Sequence, residues 1–203
     1  MRETRALGLA AEMAHLSSIR AALHADAGEQ DAALALYQQA RADYATLGNQ
    51  AAAAANRLDE SWLLLRRGQI DTAARGFLAA HPALRNQPHS RWRVEYGLGR
   101  CAELRGHSRQ ALARYRAASA IVAALRRRLI SEGISSSLYR DAARMYADAL
   151  ALAARAGYAR DLLALSERNL RIGLRQSRIG ITEEMIELLR AAIDRAVGRG
   201  EMS

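Results

Sequence analysis

The chain contains no lysine, so all 30 of its basic residues are arginine. A bias that complete points first to GC-rich coding. One cysteine excludes an internal disulfide and any multi-cysteine metal site. Only two prolines leave few helices to interrupt. Aromatics make up 5% of the residues while alanine is abundant, which favours close helix packing over a bulky core. No apolar run approaches the roughly 18–20 residues of a membrane span. Arg2, Glu3 and Arg5, scattered among the first residues, lack the basic-then-apolar order of a secretion signal. These absences lead to the expectation of a soluble, cytoplasmic protein.

What is present is folded-protein material and a repeat. Half of the 203 residues are hydrophobic, enough for one ordinary domain or a short array of helical hairpins. Three times a glycine is followed five residues later by alanine, nine later by an aromatic and twelve later by alanine. The copies are Gly28, Ala33, Tyr37, Ala40; Gly68, Ala73, Phe77, Ala80; and Gly106, Ala111, Tyr115, Ala118. Small residues at those offsets let two helices approach closely, and the aromatic plugs the seam between helix pairs. An internal period of this length decides the architecture ahead of any local reading.

Hairpins are expected at about 4–47, 50–80, 91–131 and 135–176, with a capping helix at about 182–198. In the first, Leu16, Ile19, Ala22 and Leu23 are read as the packed face of the leading helix. His81 to Ser90 holds both prolines, Pro82 and Pro88, and reads as the clearest linker. A fourth turn glycine, Gly157, introduces a diverged copy with Leu162, Ser166 and Asn169. Thr182 as N-cap, Glu183 and Glu184 in the first turn, and Met185, Ile186, Leu188, Leu189 and Ile193 on one face signal the cap.

The glycine, alanine, aromatic, alanine series closely resembles the tetratricopeptide repeat, with Leu98 and Gly99 matching that family's leucine-glycine pair on the first helix. The resemblance implies an all-α fold, a right-handed α-solenoid of antiparallel helix hairpins closed by a C-terminal capping helix, in a single repeat domain. From Tyr115 to Leu174 the chain also resembles bacterial tetratricopeptide proteins whose repeats precede a caspase-like CHAT protease domain. The residues carrying this are Leu125 to Glu132, Tyr139 to Tyr146 and Asp161 to Arg171. The chain ends at Ser203 without that domain's histidine and cysteine motifs, so no catalytic residue carries over. A non-enzymatic chain is the expectation.

The histidines, the cysteine and the glycines point the same way. His15, His24, His81, His89 and His107 form no helical metal pair, so no metal is expected. Cys101 falls mid-helix between Leu98 and Leu104 and reads as a packed residue rather than a nucleophile. Gly97 and Gly99 lie in a helical pattern without the lysine of a phosphate loop, and no cofactor is expected. Asp59 with Glu60, and Glu183 with Glu184, are sequence neighbours that point to different helix sides.

Recognition is left to the first helix of each hairpin, which the resemblance places on the concave side. The positions offered are Leu58, Trp62, Leu65 and Arg66; then Arg93, Tyr96, Arg100 and Glu103; then Arg144, Ala147, Ala151 and Arg155. Arg93, Tyr96 and Arg100 recur at three and four residues, on one stripe. Arginine beside an aromatic suits a carboxylate held by a fork of donors, so the expected partner is a protein or an acidic peptide. The opposing reading pairs these arginines with Glu95, Glu103 and neighbouring carboxylates. The net charge of +9 raises nucleic acid as a further class, but charge comes here without a recognition motif, which ranks it behind protein.

Overall fold

The computed structural model describes residues 2–129, 136–158, 161 and 164–165. Seven helices lie among them: α1 (Arg2–Asp26), α2 (Gln30–Thr46), α3 (Gln50–Arg66), α4 (Ile70–Leu84), α5 (Pro88–Leu104), α6 (Ser108–Leu129) and α7 (Ser136–Ala156). Consecutive helices from α1 to α6 are joined by three-residue turns, as antiparallel helix hairpins require. The chain divides into two compact units, Met1–Cys101 and Ala102–Ser203, with the division inside α5. No helix of the described residues is long and apolar enough to cross a membrane. The expected capping helix, and Leu162, Ser166 and Asn169, lie outside the described residues.

One turn recurs. After α1, the Gly28 N–H donates to the Ala25 carbonyl and the Glu29 N–H to the His24 carbonyl; after α3, Gly68 and Gln69 do the same to Leu65 and Leu64. This is the Schellman closure, which needs a left-handed residue after the helix end, and Gly28 and Gly68 supply it at φ of 83° and 74°. Gly48, between the first two hairpins, closes α2 in the same way onto Ala45, with Asn49 onto Tyr44. Asn49 then caps α3, its side chain accepting from the Ala52 N–H at 3.0 Å.

The repeat positions form the core. Ala33, Ala40, Ala73, Phe77, Ala80, Ala111, Tyr115 and Ala118 are fully buried, and Tyr37 nearly so. In the first unit one cluster gathers Leu58, Phe77, Leu84, Val94, Leu98 and Cys101. Two smaller clusters centre on Tyr37 with Ala21, Ala33 and Leu63, and on Tyr44 with Ala14 and Ala53. Cys101 is thus a packed side chain. In the second unit α6 and α7 bury Leu112, Tyr115, Val122, Met145, Tyr146 and Leu150.

Two expectations are corrected. His81 to Ser90 is not a linker: α4 continues through Pro82 to Leu84, and Pro88 opens α5, leaving only Arg85–Gln87 between them. Proline is tolerated at the first helical position, where its missing N–H has no helical acceptor, and near the end of α4 it removes a single bond. His81 is accordingly half-buried on α4 and pairs through Nε2 with the buried Glu95 carboxylate at 3.0 Å. The packed face of α1 is also the other one. Ala14 and Ala21 are fully buried while Leu16, Ile19, Ala22 and Leu23 are exposed. Volume at this contact comes from Tyr37 and Tyr44, so the facing helix must present alanine; a leucine there would overfill the gap.

Candidate recognition surface

Within the first unit, α3 and α5 bring a row of aromatic and charged side chains together. Along α3, Asp59, Trp62 and Arg66 follow at three and four residues; along α5, Arg93, Tyr96 and Arg100 do likewise. Arg93 ties the two rows by donating from its Nη2 to the Asp59 carboxylate at 2.7 Å, both groups being about one-third exposed. Such a pair orients the guanidinium more than it stabilises the fold, since water screens it. The aromatics beneath are continuous. Trp62 meets Phe77 edge-on at 5.3 Å and Tyr96 at 5.0 Å, and Tyr96 stacks on Trp92 at 6.3 Å.

Tyr96 is only 6% exposed, so its ring supports the row from below. Trp62 is half-buried, and its indole N–H is shielded from solvent without an acceptor among the described residues. Trp92, which sequence reasoning did not single out, is 2% exposed and is the largest fully buried side chain among the described residues. Its only sequence signal is its place one turn before Tyr96. Arg66 and Arg93 both act on Tyr37. Burial pushes this phenol up to about 12, the Asp59 carboxylate adds to the rise, and Arg93 and then Arg66 oppose it.

That shift has a testable consequence. The folded phenol holds its proton more tightly than the unfolded one at 10.0, so its contribution is intact below pH 10 and is lost as pH rises towards 12. The gap corresponds to on the order of 2–3 kcal/mol. Denaturant melts of the wild type and Tyr37→Phe, compared from pH 9 to 12, should show the wild type losing stability relative to the variant across that window.

In the second unit, Glu103 near the end of α5 accepts from the Tyr115 hydroxyl and pairs with Arg155 at 2.7 Å. The repeat aromatic of this copy is therefore anchored to the carboxylate beside it. Arg144, on α7, is exposed. Of the carboxylates expected to neutralise the arginine row, Glu103 pairs with Arg155 and Asp59 with Arg93, while Glu95 takes His81. Among the described residues no three histidine, cysteine, aspartate or glutamate side chains converge as a metal site would require.

No protein-family model matches the chain, and no curated protein matches it. Solved structures do. BtubC (BKLC) from P. vanneervenii superposes with a TM-score of 0.63 at 16% identity, covering 82% of this chain. The chain spans 65% of BtubC's own length, just under two thirds. A putative kinesin light chain from Podosopora anserina with nearly identical TPR-like repeats superposes at 0.62 with 13% identity, covering 95% of this chain and 89% of its own. A variant of that protein gives the same values. At these identities the likeness speaks of fold alone. With the repeated glycine turns and the buried alanine, aromatic, alanine series, it gives this chain the TPR-like helical-repeat fold.

Proposed function

We propose that this chain is a non-enzymatic interaction scaffold that binds a protein or an acidic peptide along the first helices of its hairpins, the concave side of the repeat. Folds of this kind generally mediate protein–protein contact. The observation that carries the reading is the pair of rows on α3 and α5: Trp62 packs on Phe77 and Tyr96, Asp59 holds Arg93, and Arg66 and Arg100 follow four residues after Trp62 and Tyr96. Guanidinium forks suit carboxylates, and the indole supplies apolar contact alongside. In the second unit, taken by itself, Arg144 and Arg155 are the positions proposed to contact a partner.

The test is capture by the whole chain, with the retained protein identified by sequencing and its affinity then measured directly. Trp62→Ala and Arg66→Glu should each weaken that affinity by tenfold or more while helicity by circular dichroism stays unchanged. Equal binding by both variants would remove this surface from consideration.

The resemblance over Tyr115 to Leu174 favours a finer alternative, in which the chain is the sensor half of a CHAT-type protease system. Partner capture would then be expected to change cleavage by a separate caspase-like protein. A captured partner without any such protease would argue against it.

A further inference from the structure

The face of α1 opposite its buried alanines carries a second set of exposed side chains, none of which belongs to the rows on α3 and α5. Leu9, Met13, Leu16, Ile19 and Leu23 are between 44% and 63% exposed, although the same helix already buries Ala14 and Ala21 on its opposite side. A helix apolar on both sides is one that packs on both sides. These five residues are the greater part of the large exposed hydrophobics of the described chain, where they form one stripe rather than a scatter.

The stripe also contains Glu12 and Arg20, both exposed, and neither has an ion-pair partner among the described residues. Its order is symmetric about Leu16. Met13 and Ile19 lie three residues on either side, Glu12 and Arg20 four, Leu9 and Leu23 seven. All seven positions fall on one side of the helix. A two-fold axis through Leu16 that runs two copies of α1 antiparallel therefore sets Leu9 against Leu23, Met13 against Ile19 and Leu16 against itself. It also sets each Glu12 against an Arg20. Glu12 and Arg20 are eight residues apart, about 12 Å along one helix, too far to pair with each other.

We infer that α1 is a self-association surface, and that its occupant is the α1 of a second copy of this chain, antiparallel about Leu16. Charge complementarity selects the copy and its direction. A parallel copy would set Glu12 against Glu12 and Arg20 against Arg20. Such an isologous contact closes at two subunits. The stripe spans about 21 Å of helix, which places the contact at the small end of stable interfaces and the dissociation constant in the micromolar class.

Sedimentation velocity of the full chain, from micromolar to several hundred micromolar, should show a species of twice the 22.2 kDa monomer mass growing with concentration. Leu16→Glu, which places two carboxylates on the axis, should abolish it with helicity unchanged. Should that variant lose helix by itself, Leu16→Ser carries the same test. Glu12→Arg and Arg20→Glu should each weaken the dimer roughly tenfold, since each change is made twice by symmetry, and combining them should restore it. A chain monomeric at every concentration, a dimer indifferent to Leu16, or a double reversal that fails to restore association would overturn the inference.

Discussion

Phe77→Ala is expected to destabilise the fold by about 3–5 kcal/mol, read as a shift of the chemical unfolding midpoint followed by circular dichroism. The ring is fully buried among Leu58, Leu84, Val94 and Leu98, and Trp62 meets it edge-on. Its tip lies against Gly97 of α5, where an added Cβ would stand 2.4 Å from Cζ. The cost is the burial lost with the ring plus the cavity that the surrounding leucines, Val94 and Trp62 fill only in part.

Gly97 provides the coupled measurement. Gly97→Ala alone forces its methyl into the ring and should cost about 1–3 kcal/mol by overpacking. In the Phe77→Ala background the same methyl enters empty space, so the second substitution should be neutral or restorative. The resulting coupling of more than about 1 kcal/mol would be the signature of a direct contact. Costs that simply add would mean that the ring does not rest on Gly97.

That contact also marks where sequence and structure part. Gly28, Gly68 and Gly106 were legible as turns because a positive φ is a local demand, and the alanines and aromatics at fixed offsets were legible as core because a repeat states its packing three times. The close approach at Gly97 was hidden, since it depends on where a side chain from α4 arrives, 20 residues earlier in the chain. The packed face of α1 was misread for a related reason. Helical periodicity fits either side of α1, and Leu16, Ile19 and Leu23 are larger than Ala14 and Ala21. At a seam whose volume is supplied by a tyrosine on the other helix, the smaller residue is the one that packs. His81 and Pro82 show the same limit, because proline near a helix end is punctuation only when the helix has nothing to gain by continuing. The arginine row on α5 was visible as a spacing, but its bond to Asp59 was not. Nothing in the sequence sets residue 93 opposite residue 59.

Arg93→Glu combined with Arg100→Glu is expected to abolish partner capture while leaving the chain folded. Both arginines stand on the α5 row, whose neighbours are the Trp62 and Tyr96 rings, and a charge over a packed apolar floor is less screened than one surrounded by water. Reversing two of them turns an attractive field for a carboxylate into a repulsive one. Because Arg93 also holds Asp59, the loss could come from that bond; Asp59→Asn separates the two causes. It releases the bond and keeps the arginine, and it should leave capture within a fewfold of wild type, with a stability change of no more than about 1 kcal/mol for so exposed a pair. Arg126→Glu with Arg127→Glu gives the charge control. It makes the same change in net charge at adjacent positions of α6, roughly 100° apart around the helix, where no single row is formed. If this control abolishes capture as completely as the α5 pair, binding follows the net charge of +9 and not a surface. If the α5 pair binds as the wild type does, α5 is not where the partner lies.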